Sequence, residues 1–475
     1  MKRTIADRLF SGDINVEKYA VIDENSSITY GEFRNIILRY GQYLLSRGIQ
    51  SNDNVVVECT QDIRYLAIDI ALGLIGAVFV PTEMNVSDTR LSDILEETDA
   101  KLYISRSDVI SIDDYEESWE GLKFPDEEEN AEILYTTGTT GKSKGIVLTH
   151  ANNYALAENI IDGTKMHIDN VELIPLPISH SHGLRTCYAN LLNGSTVVLV
   201  NGVMRVKKWI ELMKSNKVTS LDLSPTAARA LLKVSRGNLD EYKGKLDYVE
   251  IGTAALDEEL KNELCEVLPY TRLYNFYGST ESGRVCVLDF NNERGLKNCI
   301  GYPTKNAKFI VTDEDRNVIK STEDEMGLLA IEGPMNMQGY YRAADLTSKT
   351  LKEGFVYTND IGYIDDIGRV FVVGRKGSVI NYLGIKIAPE EIETIALGCD
   401  LIKDCACVPA NDNNGLEVPK LYVVLVNYEE DSIQKIREYL RISLESNKLP
   451  QIIESIDEIP RANNGKILRN KLIEK

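Results

Sequence analysis

The sequence predicts an α/β protein: a large N-terminal domain of doubly wound, mostly parallel sheets plus a β-rich subdomain, then a small C-terminal α+β domain. Three observations carry this. Over roughly the first 280 residues, short runs apolar throughout alternate with segments of helical spacing, as expected of parallel strands covered by helices on both faces. From about residue 300 the strands shorten and turns become frequent. At 475 residues the chain also exceeds the size at which one hydrophobic core stops growing.

The elements follow in order. Asn54–Cys59, Ala77–Pro81, Lys101–Ile104, Ile133–Thr136, Ser195–Val200, Val218–Leu223, Tyr248–Gly252 and Arg272–Tyr277 read as strands. Val206–Lys214 and Asp257–Leu268 carry apolar residues at helical spacing. Ser224-Pro225 starts a further helix, Ser capping and Pro in the first turn. The acidic stretch Asp113–Glu132 reads as a solvated connection. Asp365-Asp366-Ile367-Gly368 should turn a hairpin within Gly362–Gly374. Gly374-Arg-Lys-Gly-Ser378 reads as a connector, dividing the chain into domains at 1–376 and 377–475. Beyond it lie helix Pro389–Leu397, strand Leu421–Val426, helix Ser432–Ser446 and a basic tail. About 100 residues suffice for a small domain.

Composition excludes several functions. A 43% hydrophobic and 27% charged content is that of a soluble globular protein. No apolar run approaches the ~20 residues that span a bilayer. The start, Met1-Lys-Arg-Thr-Ile-Ala-Asp-Arg8, lacks the apolar core of a signal peptide, so the expected location is cytoplasmic. A formal charge of −20 repels nucleic acid and anionic lipid. The eight cysteines are scattered, and Cys405-x-Cys407 lacks the second pair that zinc would need, so buried thiols are expected. All four histidines lie between 150 and 182. His180 and His182, two apart, could suggest a metal, but no third ligand accompanies them in the sequence.

An acidic chain that binds a polyphosphate must create a local positive field. Ile133–His150 supplies one: a strand, a loop of four Thr, three Gly and two Lys, then a second strand. Glycines let backbone N–H groups turn inward, while hydroxyls and lysines add donors and charge. Gly141-Lys142-Ser143 looks like the end of a Walker loop, but that motif needs Gly at 136, where Thr stands.

The loop instead resembles the phosphate loop of the adenylate-forming superfamily: acyl-CoA synthetases, peptide-synthetase adenylation domains and luciferases. Thr137 replaces the usual Ser, and Ser143 the usual Pro. Further motifs occur in family order between Ile28 and Leu472. The resemblance implies that Thr136, Thr137, Gly138, Thr139, Thr140 and Lys144 hold phosphates of ATP. Gly252-Thr253-Ala254 resembles the segment lying against adenine and acyl group. Asn275-Phe276-Tyr277-Gly278-Ser279-Thr280-Glu281 contains the family's Tyr-Gly-x-Thr-Glu. By resemblance Asn275 reaches the adenine amino group, Tyr277 stacks on adenine, Thr280 bonds the α-phosphate and Glu281 helps hold Mg²⁺. Asp360 and Arg375 match ribose contacts. Pro460–Arg469 resembles the segment whose lysine, here Lys466, enters the cleft. A positioned ammonium would stabilise the charge that develops at the α-phosphorus. His180 matches a residue flanking the acyl pocket. Gly377 falls at the family's hinge, and Asn381 stands where Lys is frequent.

The function implied is activation of a carboxylic acid by Mg·ATP through acyl-AMP, then transfer to a thiol, that of CoA, to form a thioester. One alternative loads the phosphopantetheine of an acyl carrier protein; another is a nucleotide-binding regulator without catalysis. Expected partners are thus a small-molecule acid and a possible carrier protein, with the chain a monomer or homodimer. His180–Arg185 contains no acid where amino-acid-selecting domains place Asp, which argues against an amino acid substrate. Arg185, if it points inward, needs an anion and would favour a dicarboxylate; pointing outward, it is a solvated helix residue.

Overall fold

A computed structural model describes the chain apart from residues 1–2, 12, 137–143, 203–204, 236–237, 255, 377–379, 383–384, 388, 413–416, 445–447, 462–466 and 474–475. It separates into two compact units. The first comprises Met1–Ile310, Ala330–Tyr357 and Asp366–Val370; the second comprises Val311–Leu329, Thr358–Asp365 and Phe371–Lys475.

One sheet of the first unit runs in the order Cys299–Pro303, Gly283–Asp289, Arg272–Ser279, Tyr248–Ile251, Ser220–Leu223, Val171–Ile174, Thr196–Leu199, Tyr19–Ile22, Ser27–Thr29. The pairs from Arg272–Ser279 through Tyr19–Ile22 are parallel, as their apolar runs predict. The order reverses at Val171–Ile174. From it the chain passes through helix Ser181–Asn193 to Thr196–Leu199 on one side, then comes back with Ser220–Leu223 on the other. Such a reversal leaves a crevice outside the carboxyl ends of the strands, where ligands bind in open α/β sheets.

A second sheet of this unit runs Gly339–Tyr340, Lys144–Thr149, Asn130–Thr136, Val78–Thr82, Asn54–Glu58, Leu102–Ile104. Asn130–Thr136 and Lys144–Thr149 form an antiparallel hairpin around the Thr/Gly/Lys loop. The acidic stretch before it contains one 3₁₀ turn, Ile112–Asp114, until the strand begins at Asn130.

Strands Lys308–Thr312, Gly327–Glu332, Phe355–Ile364 and Val370–Arg375 are neighbours in that order, and the expected turn has Gly368 at φ +86°. In the second unit, Ile402–Asn411 pairs antiparallel with Glu417–Leu425, which pairs parallel with Ile452–Ser455. Helices Pro389–Leu397 and Ser432–Ser443 close a core of Ile392, Cys407, Leu421, Val423, Ile436 and Leu440 on this sheet. All eight cysteines are free and buried, and burial pushes the Cys59 thiol up to about 12.

Helix Ile63–Ile75 is buried along nearly its whole length, because beyond Arg64 in its first turn its residues are apolar on every side except at Asp69. Asp69 is buried and accepts a 2.6 Å hydrogen bond from the Tyr188 hydroxyl. Burial, reinforced by the nearby Glu132 charge, pushes its carboxyl up to about 8, although Tyr188 and Arg185 oppose the shift. A raised acid favours the protonated folded state, so its stabilisation is complete below the ordinary value near 4 and is lost as pH rises through about 8. Asp69→Asn has no proton to lose. Its melting midpoint relative to wild type should therefore rise from about pH 4 to about pH 8 and then level off. A pH-independent difference between the two would show that Asp69 does not titrate in this range.

Candidate active site

The hairpin of Arg272–Ser279 and Gly283–Asp289 presents Thr280 and Glu281 at its tip. Two glycines make the turn possible. A Cβ on Gly278 would lie 1.8 Å from the Gly283 carbonyl oxygen, and Gly283 itself has φ +71°. A three-residue loop followed by a left-handed glycine is a favoured hairpin closure. Ser279 Oγ accepts from the Ser282 N–H at 3.2 Å and tightens the turn.

The Glu281 carboxylate accepts a 2.9 Å hydrogen bond from the Tyr340 hydroxyl. Tyr340 belongs to the short strand that pairs with Lys144–Thr149, the exit strand of the Thr/Gly/Lys loop. Lys144 Nζ lies 5.5 Å from the centre of the Tyr340 ring, within cation–π range. Burial and the Glu281 charge both raise the Tyr340 hydroxyl, so it remains a donor. Tyr340 thereby joins the exit of the loop to the carboxylate assigned to magnesium. Sequence reasoning missed it, because no motif spans the 59 positions that separate it from Glu281. Residues 137–143, with Thr137, Gly138, Thr139 and Thr140, lie outside the described residues, as does the side chain of Thr136.

Along Arg272–Ser279, Asn275 is buried and Tyr277 half-buried. The Phe276 ring points elsewhere. It is buried, with the Arg284 guanidinium 5.3 Å from its centre, and it fills the space a Cβ on Gly163 would need. Its side chain is thus committed to the core, and only its backbone is left to face a nucleotide.

At the switch point lies a buried charge network. Asp222 and Glu250 occupy register positions facing one another on the parallel strands Ser220–Leu223 and Tyr248–Ile251. Arg284 donates to Glu250 at 2.5 Å and reaches Asp222 at 3.5 Å; all three are buried. Thr186 donates to Asp222 at 2.7 Å. His182 Nε2 lies 2.6 Å from Asp222 Oδ1. Burial works against the Asp222 charge, but His182 and Arg284 outweigh it and hold its carboxyl below the usual range. Burial raises Glu250 against the pull of Arg284. The His182, Asp222 and Glu250 ligand atoms lie within 4.8 Å of one another. The third ligand absent from the local sequence thus exists in space. Arg284 already supplies the cation this cluster requires, so a metal ion would meet a guanidinium.

The His182 ring rests on Gly252: a Cβ there would stand 2.4 Å from His182 Cε1. The next residue, Thr253, is exposed at φ +75°, the only β-branched residue with positive φ among the described residues. Such strain persists only where surrounding structure fixes it, and it concentrates at ligand sites. Ala254 is exposed beside it. His180, by contrast, is exposed as the N-cap of helix Ser181–Asn193, with no side-chain capping bond.

Arg185 corrects both expectations made for it. It is 1% exposed and pairs with the equally buried Glu132, its guanidinium 5.3 Å from the centre of the Tyr188 ring. The anion it needs is the protein's own. Arg185→Met leaves Glu132 buried without its partner and should cost about 3–5 kcal/mol of stability. The ratio of activities on monocarboxylic and dicarboxylic acids of equal length should not change. A changed ratio would return Arg185 to substrate selection.

In the second unit, Arg375 Nε donates to Asp360 at 2.7 Å, so the two residues assigned to ribose are already adjacent. Asp360 is buried and Arg375 is half exposed. Lys466 and Gly377 lie outside the described residues, as does the side chain of Asn381. The flanks of 462–466 are clamped. Arg461 and Ile467 form an antiparallel bridge, Arg461 pairs with Asp404 at 2.7 Å, and Arg469 forks onto both Glu393 oxygens at 2.8 and 2.7 Å.

The family model described as AMP-binding enzyme matches residues 13–341, and that of the AMP-binding enzyme C-terminal domain matches 391–466. The chain is 26% identical to 4-coumarate–CoA ligase of Vanilla planifolia, over 94% of this chain and 88% of that protein. It is 30% identical to 4-coumarate–CoA ligase 2 of Nicotiana tabacum, over 72% of this chain and 64% of that protein. ATP-bound MatB from Rhodopseudomonas palustris has the same fold, with TM-score 0.87 at 23% identity, over 100% of this chain and 99% of that one. O-succinylbenzoate CoA synthetase (MenE) of Bacillus subtilis, in complex with its acyl-adenylate intermediate, gives 0.86 at 22%, over 99% and 98%. The chain belongs to the AMP-binding enzyme family. It is an AMP-forming acid–thiol ligase of the acyl-CoA synthetase pattern. No helix among the described residues is long and apolar enough to cross a membrane.

Proposed function

We propose that this chain activates a small carboxylic acid with Mg·ATP as acyl-AMP and then passes the acyl group to the thiol of CoA in the cytoplasm. The observation that carries the reading is the junction at Tyr340, which sets the Glu281 carboxylate beside the exit of a loop rich in hydroxyls and lysines. An oxygen ligand next to a phosphate cradle suits magnesium, a hard cation that binds through carboxylates and substrate phosphates together. Thr280, at the same hairpin tip, is assigned to the α-phosphate.

No enzyme nucleophile is required. The acid carboxylate attacks the α-phosphorus and pyrophosphate leaves; positioning and electrostatics supply the acceleration. Asn275, Tyr277, Gly252 and Thr253 receive the adenine, and Asp360 with Arg375 the ribose. Residues 377–475 form the lid, which turns about Gly377 between half-reactions and carries Lys466 to the reacting oxygens. CoA is preferred to a carrier-protein arm because the curated relatives named above are CoA ligases.

Lys466→Ala should lower acid-dependent pyrophosphate exchange by ~100-fold or more, the cost of one transition-state charge partner. Thioester formation from supplied acyl-AMP should fall far less. Equal loss in both assays would remove Lys466 from the first step.

Glu281→Gln removes a charge and little volume. The variant should fold, keep the Tyr340 contact and need a higher Mg²⁺ concentration for half-maximal exchange. An unchanged Mg²⁺ requirement would separate Glu281 from the metal.

A further inference from the structure

The proposed reaction uses the acid's carboxylate and leaves the rest of the acid unassigned. Within the first unit, His182 is the most exposed member of the buried charge network: its side chain is 15% exposed, against 6% for Arg284 and none for Asp222. It stands in the first turn of helix Ser181–Asn193, and Asp222 lies on Ser220–Leu223. The two therefore bridge the sides of the crevice that opens where the strand order reverses.

The chemistry of the ring follows from its partners. Asp222 is held ionised, so Nε2 carries the hydrogen of their 2.6 Å bond. Nδ1 is then the free nitrogen, and it has no hydrogen-bond partner among the described residues. The ring cannot slide away, because Gly252 packs against Cε1 and Arg284 and Thr186 fix Asp222 behind it. A nitrogen so placed is a poor wall for a hydrocarbon and a good one for a polar group. A hydroxyl suits it in either state of the ring, since a hydroxyl both donates and accepts.

We propose that His182, held by Asp222, is the specificity-determining contact for a hydroxyl group carried by the acid substrate. This rests on the ligase reading above. Asp222 is a positioning residue: it fixes the tautomer and orientation of the imidazole and does not touch the acid.

The test compares pairs of acids that share a carbon skeleton and differ by hydroxyl against hydrogen or methyl. Aromatic and aliphatic pairs are both assayed by acid-dependent pyrophosphate exchange. In at least one pair, wild type should favour the hydroxylated acid in kcat/KM by about tenfold, the worth of one good hydrogen bond. His182→Leu should bring that ratio close to one while exchange with the unsubstituted acid persists. Asp222→Asn should lower the ratio as well, whereas a purely structural role would lower the melting midpoint and leave the ratio alone. If wild type favours the unsubstituted acid in every pair, the proposal fails without recourse to a variant. It fails equally if the ratio survives in folded His182→Leu. Exchange with no acid at all would remove the ligase reading and this inference together.

Discussion

Asp222 and Glu250 stand opposite one another on adjacent parallel strands, both fully buried within the sheet. Two carboxylates so placed would repel each other and drive their own protonation. The Arg284 guanidinium reaches both from the antiparallel strand Gly283–Asp289, and it also donates to the His182 carbonyl at 3.1 Å. One cation thereby ties two central strands, the hairpin that carries Glu281 and the first turn of helix Ser181–Asn193. The geometry of the ligand crevice depends on that tie. Removing the guanidinium would leave two buried acids uncompensated, which costs more than the pair itself is worth.

A similar arrangement recurs behind it. Asp69, Glu132, Arg185 and Tyr188 form a second polar core within the first unit, joining helix Ile63–Ile75, strand Asn130–Thr136 and helix Ser181–Asn193. Helix Ser181–Asn193 takes part in both, through Arg185 on one side and His182 and Thr186 on the other. The strand that leads into the Thr/Gly/Lys loop and the wall of the crevice are thus braced by the same helix. Such networks specify one arrangement of elements where apolar packing alone would allow several.

The sequence disclosed the local parts of this design. Central strands are legible because they are apolar throughout, and the phosphate loop and Tyr277–Glu281 turn because their glycines and hydroxyls are contiguous. Arg185 was legible as a charge but not as a partner: Glu132 lies 53 positions away, and nothing local says that a lone arginine is neutralised inside. Asp222, Glu250 and Arg284 carry no local signal of their pairing for the same reason: 28 and 34 positions separate them along the chain, and only the sheet register brings them together. His180 was favoured over His182 on motif position, although it is His182 that contacts Asp222 and rests on Gly252. Alternation explains Phe276, since successive strand residues face opposite sides and Asn275 and Tyr277 could not share a face with it.

An enzyme that makes acyl adenylates generates a potent acylating agent next to its own surface. Thiolates are the side chains most prone to intercept it. None of the eight cysteines offers that chance: each is buried, and burial pushes the Cys59, Cys187, Cys286 and Cys407 thiols up. The thioester bond is thereby reserved for a sulfur that arrives from outside, and the catalyst is spared acylation by its own product.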